Sequence, residues 1–318
     1  MERIKLFFDC DTGIDDALAL GYLLAGKEKV DLVGIGSVCG NIDAASGARN
    51  SLDLLNLAGF TFTPVAEGER DYSHAAYHCV SQHIHGQNGI GDIRLTPAPR
   101  AIESQTAAEM LISLARQYPG ELHVLATGPL TNIAKALQLA PELPELIARL
   151  TIMGGAALVP GNRTPVAEAN IAGDPQAAAA VFRAFNNIVM VPLDVTLSHK
   201  LTEEHRLQLL NSGKPFAHAL GAMLEIYIDF YEKTYGTRAC AIHDPAAAYF
   251  AIEGLNHCLA PKVKVVVDDT QGPGRGQTIC DMRGMYKGYP VQQDANCQVV
   301  LKTDIDLASV LMDKLMTL

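Results

Sequence analysis

The sequence has no tryptophan, and aromatic residues make up only 6% of its 318 positions. Stacking of a planar ligand between indole rings is therefore excluded, and the ten tyrosines are the main alternative. No apolar run is long enough to cross a bilayer, so we expect no membrane partner. Positive charge is also scarce: 25 lysines and arginines face 35 acidic residues, a net charge of −10. A nucleic-acid backbone is thus not expected as a partner.

The seven cysteines contain no CxxC pair, are odd in number and are widely spaced. This pattern is typical of free thiols in a reducing compartment rather than of a disulfide framework. Met1-Glu2-Arg3 leads directly into an apolar strand, without the pattern of a signal peptide. We therefore expect a cytoplasmic protein.

A chain of this length can form one large α/β domain or two smaller ones. Hydrophobic residues make up 48% and charged residues 19%, which is typical of a compact globular enzyme. The sequence shows no internal repeat, no low-complexity tract and no linker. We therefore predict a single domain over residues 1–318, with helical or loop insertions near 67–100 and 201–240.

Four carboxylates lie within the eight residues Asp9-Cys10-Asp11-Thr12-Gly13-Ile14-Asp15-Asp16. A β-prone run precedes them and an apolar helix former follows, so they lie where a strand turns into a helix. Capping of the helix accounts for Asp15 or Asp16. It does not account for all four, because like charges this close repel unless they share a cation or a proton. We therefore favour a hard divalent cation with oxygen ligands, Ca²⁺ or Mg²⁺.

Strands and helices alternate along the chain, which predicts an α/β fold with an open, mostly parallel sheet flanked by helices. In such folds, ligands bind at the carboxyl ends of the strands. The predicted strands are 4–8, 31–38, 61–65, 122–126, 150–153, 187–193, 262–267, 276–282 and 297–301. The predicted helices are 17–24, 44–58, 102–117, 133–139, 201–235, 246–252 and 307–316, with one more opened by Asp174-Pro175.

Residues 67–100 break this alternation with a loop that is rich in histidine. The potential metal ligands in it are His74, His78, Cys79, His83 and His85. Their spacing matches no closed tetrahedral zinc site. We therefore favour a gate over the ligand site, with His85-Gly86 reaching in.

Polar residues follow the ends of several other predicted strands. They are Asn41, Thr127, the loop 161–170 and the pair His243-Asp244. A parallel sheet would gather these residues along one edge. The loop 161–170 offers amide and carboxylate groups suited to sugar hydroxyls, but it is equally well explained as an ordinary polar connection.

Taken together, these blocks resemble the inosine–uridine-preferring nucleoside hydrolases. The DxDxxxDD signature of that family is Asp9 to Asp16 here, and further blocks follow in the family's order. They are Gly40-Asn41, Thr127-Gly128-Pro129-Leu130-Thr131-Asn132, Met153-Gly154-Gly155, Gly161-Asn162 to Asn170, Asp174-Pro175 and His243-Asp244-Pro245. The resemblance implies hydrolysis of the N-glycosidic bond of ribonucleosides to ribose and free base.

The resemblance also implies one Ca²⁺ per subunit. By position, its ligands would be Asp11, Asp16, the backbone carbonyl of Thr127 and Asp244. Asp11 would also be the general base, since it can touch both the metal and the attacking water. Asp15 would hold the ribose 2′-hydroxyl. The rest of the ribose, including its 5′-hydroxyl, would be held by Asn41, Asn162, Glu168 and Asn170.

The leaving base needs a proton or a hydrogen bond, and His243 is the candidate donor because an imidazole titrates near neutral pH. The alternative is a structural histidine beside a metal ligand. His85 is a second candidate for contact with the base. Tyr227, Tyr231 and Tyr235 share one helix face, a pattern that usually means core packing, although Tyr231 and Tyr235 can also stack on a base. Purine-specific relatives sandwich the base between tryptophans, so we predict a pyrimidine-preferring or broad hydrolase.

Three positions depart from the family pattern. Thr12 replaces a proline that many relatives have, Asn88 replaces a frequent aspartate, and Ala169 replaces a bulky aromatic residue. None of these changes removes a metal ligand, but Ala169 loosens the wall near the ribose. Relatives are commonly homodimers or homotetramers, which we expect here as well.

Two alternatives from other functional classes stay open. One is a HAD-type Mg²⁺-dependent phosphatase, which also begins with DxD after a first strand. It requires threonine or valine where this chain has Gly13. The other is a catalytically inactive nucleoside- or ribose-binding protein, against which the retention of Asp11, Asp16, His243 and Asp244 argues.

Overall fold

The computed structural model describes residues 3–318 and has an extended sheet at its centre. The strands are β1 (Ile4–Cys10), β2 (Val30–Ser37), β3 (Val65–Glu67), β4 (Leu122–Ala126), β5 (Ile147–Met153), β6 (Ile188–Val191), β7 (Lys200–Thr202), β8 (Ala239–Ala241), β9 (Cys258–Leu259), β10 (Lys262–Val263), β11 (Val265–Val267), β12 (Thr278–Cys280), β13 (Cys297–Val299) and β14 (Lys302–Thr303). Eight of them form the central sheet in the order β10-β13-β6-β5-β4-β1-β2-β3. Neighbouring strands in this sheet run parallel, apart from the antiparallel pair β10 and β13.

Strand β1 lies inside the sheet, with β2 on one side and β4 on the other. The chain winds outward from β1 through β2 to β3, and then outward in the opposite direction from β4 through β5 to β6. The strand order therefore reverses between β1 and β4, which is where doubly wound sheets bind their ligands. Asp11 follows β1 and Thr127 follows β4, so both lie at this point.

Helices cover both faces of the sheet. They are α1 (Ile14–Ala25), α2 (Ala44–Leu57), α3 (Gln82–His85), α4 (Ala107–Gln117), α5 (Thr131–Leu139), α6 (Leu143–Leu146), α7 (Ala169–Gly173), α8 (Pro175–Ala184), α9 (Leu193–Thr196), α10 (Glu203–Leu210), α11 (Pro215–Tyr235), α12 (Asp244–Glu253) and α13 (Leu307–Leu315), with a short 3₁₀ turn at Met285–Lys287. Between residues 3 and 318, no helix combines the length and apolar character needed to span a bilayer.

Two apolar cores hold these layers together. One contains side chains of α1, α2, α11, α12 and α13, and the other contains side chains of α4, α5 and α8. Strand β1 supplies Leu6 and Phe8 to the first core and Phe7 to the second, because successive side chains of a strand point to opposite faces. Where a strand is buried on both faces its residues are apolar, as Leu6, Phe7 and Phe8 are here.

The predicted α/β fold with a mostly parallel sheet is confirmed, although some element boundaries differ. The helix predicted from residue 102 begins at Ala107, because Thr106 and Glu109 form a capping box there. The Glu109 backbone N–H donates to Thr106 Oγ1 at 3.3 Å, and the Thr106 backbone N–H donates to Glu109 Oε2 at 2.8 Å. The predicted start of a helix at Asp174-Pro175 is confirmed, since Asp174 caps α8.

The predicted helical stretch 201–235 is two helices, because α10 ends at Leu210 and α11 begins afresh with Pro215. The strand predicted at 61–65 lies later, at Val65–Glu67. The apolar run predicted as one late strand is split, so that β10 joins the central sheet while β11 pairs with β12 in a separate antiparallel ribbon.

Candidate active site

Three aspartates from two distant parts of the chain meet at the carboxyl end of β1. Asp15 and Asp16 lie in the first turn of α1, and Asp244 is the first residue of α12. One carboxylate oxygen from each lies within 4.8 Å of the others, and all three residues are buried. The Thr127 hydroxyl donates to Asp16 Oδ1 at 2.6 Å, which ties the end of β4 to this aspartate group.

Asp11 lies beside the aspartate group and is held by Asn41. The Asn41 backbone N–H donates to Asp11 Oδ2 at 2.7 Å, and its side-chain amide donates to Oδ1 at 3.1 Å. The same amide lies 3.4 Å from Asp16 Oδ2. Two glycines permit this close approach: a Cβ at Gly40 would collide with the Asp11 carboxylate, and one at Gly13 would lie 2.7 Å from the Asn41 amide nitrogen.

The aspartate group has the donor set that a hard cation requires. Asp15 Oδ1 and Asp244 Oδ2 are buried and have no hydrogen-bond partner among residues 3–318. Buried, unpartnered oxygens of like charge are costly unless a cation or a proton joins them. Among the predicted ligands, Asp16 and Asp244 meet, and Thr127 and Asp11 adjoin them. Asp15, predicted to hold a ribose hydroxyl, is itself a member of the group.

Burial is the main influence on the pKa values of these acids, and their mutual repulsion adds to it. Burial, followed by the charge of Asp15, raises the pKa of Asp16 to about 6. The pKa values of Asp11 and Asp244 rise well above the usual range, first through burial and then through neighbouring aspartates. Protonation and cation binding are therefore two competing ways of relieving the same charge.

Tyr227 and His85 border the aspartate group on the side of α11. The Tyr227 hydroxyl donates to Asp15 Oδ2 at 3.0 Å. The Ile14 backbone N–H donates to His85 Nδ1 at 3.1 Å, so Nε2 carries the proton in the neutral ring. Burial lowers the pKa of His85 to about 4, which keeps the ring neutral at pH 7. His85 thus lies beside the aspartate group, with its Nδ1 4.0 Å from Asp15 Oδ1.

His243 lies between two hydroxyl groups. Its Nδ1 is 2.8 Å from Thr196 Oγ1, and its Nε2 is 2.6 Å from the Tyr231 hydroxyl. Burial, with a smaller contribution from His85, lowers the pKa of His243 to about 4. This differs from our expectation of an imidazole that titrates near neutral pH. The geometry instead makes His243 the middle of a hydrogen-bonded chain from Thr196 to Tyr231.

Glu168 caps the first turn of α7, at the end of the loop 161–170. Its buried carboxylate accepts backbone N–H groups from Asn170 at 2.9 Å, Gly155 at 3.0 Å and Ile171 at 3.2 Å. Burial raises the pKa of Glu168, and the three donors oppose this effect. The loop is thus more than a simple connection, because its acid fixes the end of β5 against the site.

Asn170 and Asn162 complete this side of the site. The Asn170 amide donates to the backbone oxygens of Thr127 at 2.8 Å and Met153 at 3.1 Å, so it bridges the ends of β4 and β5. Asn162 Oδ1 accepts the Ala169 N–H at 2.9 Å. Asn170 therefore touches the carbonyl of Thr127, which was predicted to be a metal ligand.

A cavity of about 180 Å³ lies over these groups. Most of the predicted site residues line it: Asp15, Asn41, His85, Thr127, Asn162, Glu168, Asn170, Tyr231, Tyr235, His243 and Asp244. Its aromatic wall is formed by α11, on which the Tyr231 and Tyr235 rings stack at 5.4 Å. Tyr231 is buried like a core residue, whereas Tyr235 is 52% exposed and offers a ring face to a ligand.

The loop 67–100 borders the cavity through Ser81, Ile84 and His85. His83 packs edge-on against Phe230 of α11, with ring centroids 5.5 Å apart. Within the described residues, the group found close enough to share a metal is the aspartate group, and the histidines of this loop form none. Opening and closing of the loop stay a prediction.

Two of the three departures from the family pattern have local structural roles. Thr12 Oγ1 lies 2.8 Å from Ser51 Oγ, which joins the turn between β1 and α1 to α2. Asn88 Oδ1 accepts the backbone N–H groups of Ile90 at 3.0 Å and Asp92 at 2.9 Å, and so closes a turn. Ala169, the third, lies exposed on the cavity lining.

The sequence alone did not assign three residues that matter here. Tyr227 had a signal, since it lies one turn before Tyr231 on the same helix face. The only sequence signal for Thr196 was its position shortly after the predicted strand 187–193. Asp9 belongs to the acidic stretch, but its partner Asn132, whose amide donates to Asp9 Oδ1 at 2.8 Å, comes from α5. This pair anchors β1 to the helix after β4.

Comparison with known proteins agrees with this geometry. The family described as inosine-uridine preferring nucleoside hydrolase matches residues 6–309. Uridine nucleosidase 1 of Arabidopsis thaliana is 35% identical over 87% of this chain and 82% of its own length. The inosine-uridine preferring nucleoside hydrolase of Leishmania major is 32% identical over 95% of this chain and 94% of its own.

A solved structure extends the similarity to three dimensions. The purine-preferring ribonucleoside hydrolase from Gardnerella vaginalis superposes with a TM-score of 0.91 at 34% identity, and the match covers 98% of both chains. The site geometry, the family match and these relatives lead to one conclusion. The chain belongs to the inosine-uridine preferring nucleoside hydrolase family and is a ribonucleoside N-ribohydrolase.

Proposed function

We propose that this enzyme cleaves ribonucleosides with the help of one bound Ca²⁺ and that it prefers pyrimidines or accepts a broad range of bases. The observation that carries the proposal is the aspartate group, with its unpartnered oxygens on Asp15 and Asp244 at the cavity. The proposed ligands are oxygens of carboxylates and of a backbone carbonyl. Such a set suits Ca²⁺, which accepts six to eight oxygen ligands in flexible geometry, better than Mg²⁺, which demands a near-ideal octahedron.

We assign the ligands of the ion to Asp11, Asp16, Asp244 and the carbonyl of Thr127. When bound, Ca²⁺ supplies positive charge that orients the ribose hydroxyls and makes a nearby water more acidic. Asp11 takes the proton of that water as general base. The two hydrogen bonds from Asn41 hold the Asp11 carboxylate in one orientation for this task.

The bond breaks through a ribosyl cation with oxocarbenium character. Fixed carboxylates in a buried site stabilise such a cation without having to reorganise. Asp15 would hold the 2′-hydroxyl, and Asn162, Glu168 and Asn170 would hold the far side of the ribose. Three backbone donors already fix Glu168, so it needs no rearrangement when the sugar binds.

Departure of the base requires a proton or a hydrogen bond on its ring. Tyr231 and His243 line the cavity as a hydrogen-bonded pair, and Thr196 extends the chain away from the cavity. We assign this pair to the leaving base, with the proton replaced along the chain. His85, whose Nε2–H is not used by Ile14, is the second donor for the base.

The base preference depends on the aromatic wall of α11. The exposed Tyr235 ring can stack on any planar base, and stacking alone selects weakly between purines and pyrimidines. Relatives of similar identity are named for uridine in one case and for purines in another. This spread supports a broad range with uridine included.

The decisive experiment measures ribose release from uridine, cytidine, inosine and adenosine, with and without a chelator. We expect the highest kcat/KM with a pyrimidine or similar values for all four, and loss of activity in the chelator that Ca²⁺ restores. A strong preference for adenosine or inosine would overturn the base assignment, and chelator-resistant turnover would overturn the metal. The phosphatase alternative is tested in parallel with 4-nitrophenyl phosphate, which should not be hydrolysed.

Three further properties belong to the proposal. We propose a single catalytic domain over residues 1–318, and a homodimer or homotetramer that light scattering in solution would test. We also propose a cytoplasmic, nucleoside-salvaging role. The seven cysteines, all of them unpaired in the structure, support a reducing compartment.

A further inference from the structure

The ribbon of β11 and β12 lies outside the central sheet, yet one of its side chains reaches the end of β5. Thr278, on β12, is only 3% exposed. Its hydroxyl donates to the backbone oxygen of Ala156 at 2.7 Å and accepts the backbone N–H of the same residue at 2.9 Å. One side chain therefore satisfies both backbone polar groups of a buried residue that follows β5.

Ala156 is the chain neighbour of a residue that donates to Glu168. The Gly155 backbone N–H donates to Glu168 Oε2 at 3.0 Å, and Gly155 has a φ of +81°, in the left-handed region. A Cβ at Gly155 would lie 2.9 Å from Thr278 Oγ1, so the hydroxyl packs directly against this turn. The Thr278 hydroxyl thus helps to fix the direction in which the Gly155 N–H points.

The same part of β12 also contacts the chain on the other side of Glu168. Gln277 forms an antiparallel bridge with Ala167, the residue directly before Glu168. A Cβ at Gly276 would lie 3.0 Å from Ala167 Cβ, so the two chains pack closely here. Consecutive residues of one ribbon therefore hold both the chain that carries the acid and the chain that carries one of its donors.

The orientation of the Glu168 carboxylate depends on its three backbone donors. Two of them, Asn170 and Ile171, belong to α7, the helix that Glu168 itself caps. Of the three, Gly155 is the donor that comes from a different part of the chain. The Gly155 N–H is therefore the hydrogen bond that orients the acid relative to the end of β5.

We propose, on the basis of the proposed function, that Thr278 is a positioning residue for recognition of the ribose. Through Ala156 and Gly155 it holds the Glu168 carboxylate in the orientation that accepts the 5′-hydroxyl. Thr278 itself does not line the cavity, whereas Glu168 does. The aspartate group is held by other elements, so loss of the Thr278 hydroxyl weakens recognition of the 5′-hydroxyl and leaves the reaction itself unchanged.

The test compares uridine with 5′-deoxyuridine, which lacks the 5′-hydroxyl, and measures the ratio of their kcat/KM values. If another base proves better, the corresponding pair of that nucleoside is used. A hydrogen bond to a carboxylate is stronger than one between neutral groups, so the wild type should prefer uridine by about tenfold or more. In Thr278→Val, which lacks the hydroxyl, this preference should fall by about threefold or more. Thr278→Ser keeps the hydroxyl and should retain the wild-type ratio within about twofold.

Thr303 provides a matched control for a general loss of stability. Its hydroxyl, on β14, also donates to a backbone oxygen, that of His257 at 3.1 Å, and also accepts a backbone N–H, that of Ile305 at 3.2 Å. Thr303 is buried and does not line the cavity. Thr303→Val should lower the Tm about as much as Thr278→Val does, but it should keep the wild-type preference for uridine.

A second substitution shows whether Thr278 acts through the acid. Glu168→Gln should by itself reduce the preference for uridine over 5′-deoxyuridine. Adding Thr278→Val to Glu168→Gln should then change the ratio by less than about twofold, because the group that Thr278 positions is already altered. A further large fall in the double variant would overturn the inference, since Thr278 would then act by another route.

The remaining outcomes separate this inference from the proposed function. An unchanged ratio in folded Thr278→Val, or an equal fall in Thr303→Val, would overturn the inference and leave the proposed function standing. If the valine variant does not fold, Thr278→Ala, which also lacks the hydroxyl, takes its place with the same expected result. Equal kcat/KM for both nucleosides in the wild type would overturn the contact of Glu168 with the 5′-hydroxyl and this inference with it. Failure to cleave any nucleoside would overturn the proposed function as a whole.

Discussion

Replacing Asp244 by asparagine tests the aspartate group most directly, because the chain contains a matched control. Asp174 and Asp244 are both buried, and both precede a proline at the start of a helix. Asp174 accepts hydrogen bonds from the N–H and the hydroxyl of Ser73, both at 2.7 Å, from the Thr131 hydroxyl at 2.9 Å and from the Ala177 N–H at 3.1 Å. Asp244 Oδ2 has no such partner among residues 3–318.

The expected magnitude follows from the distance between the carboxylates. At 4.8 Å, the upper limit of the separations between these oxygens, two unit charges repel by about 3.5 kcal/mol at an effective dielectric constant of 20. Protonation already relieves part of this repulsion in the metal-free protein, so Asp244→Asn should stabilise that form by about 1–3 kcal/mol. For a chain of this size, the gain corresponds to a rise in Tm of a few degrees, about 2 °C per kcal/mol. Asp174→Asn should instead lose about 1–2 kcal/mol, because a capping carboxylate with four donors is weakened.

The assay is thermal unfolding of the wild type and both variants, each in excess chelator and in excess Ca²⁺. Ca²⁺ should raise the Tm of the wild type and of Asp174→Asn, since a ligand that binds only the folded state stabilises it. It should have little effect on Asp244→Asn, which should be the most stable of the three in chelator. The reasoning is refuted if Asp244→Asn is destabilised in chelator as much as Asp174→Asn, or if Ca²⁺ stabilises it as much as the wild type.

Three further outcomes are expected. Asp11→Asn should lower kcat by about a thousandfold or more while KM changes less than about tenfold, because it removes the general base and leaves the other ribose contacts. Full activity of this variant in steady-state kinetics would show that Asp11 is not the general base. Tyr231→Phe, which loses the hydroxyl 2.6 Å from His243 Nε2, should slow uridine cleavage by about 10–100-fold but leave 4-nitrophenyl riboside unaffected, since that leaving group needs no proton; equal losses on both substrates would contradict the assignment. Burial, aided by Arg149, lowers the pKa of half-buried His123 to about 4, whereas the pKa of an unfolded histidine is about 6.5. Between these two values the unfolded state binds one more proton than the folded state. The free energy of unfolding therefore falls as the pH drops from about 6.5 to about 4. Urea unfolding at pH 7 and 4.5 should show about 1–2 kcal/mol less acid destabilisation in His123→Gln, and an unchanged pH dependence would exclude His123 as a source.

Sequence reasoning predicted the parts of the site that depend on the sheet. The positions of Asp11, Asn41 and Thr127 follow from one rule, that parallel strands end at a common edge, and the structure brings them together. The sequence grouped His243 and Asp244 with these strand ends as well, and the resemblance to a family supplied their roles. The strand that precedes them, β8, nevertheless pairs with β7 outside the central sheet. More than 220 residues separate them from the acidic stretch, and no periodicity reports such a distance.

The sequence did not predict which side chains meet when their helices and strands are far apart along the chain. The hydrogen bond from Tyr227 to Asp15 joins residues 212 positions apart. The helix face that carries Tyr227 could be interpreted from the sequence as core packing, without any contact to Asp15. The Thr196 hydroxyl beside His243 is likewise set by tertiary geometry. Burial is also what lowers the pKa of His243, and no local sequence shows how deeply a side chain is buried.

The ends of the strands carry the acids, whereas a single helix, α11, carries Tyr227, Phe230, Tyr231 and Tyr235. Under the proposed roles, most contacts to the sugar and most contacts to the base are therefore encoded by separate stretches of the gene. Substitutions of Phe230 or Tyr235 would then change which base is accepted and leave the sugar contacts intact, whereas Tyr231 also takes part in the departure of the base. A scaffold organised in this way allows related enzymes to share one reaction and to differ in the bases that they accept.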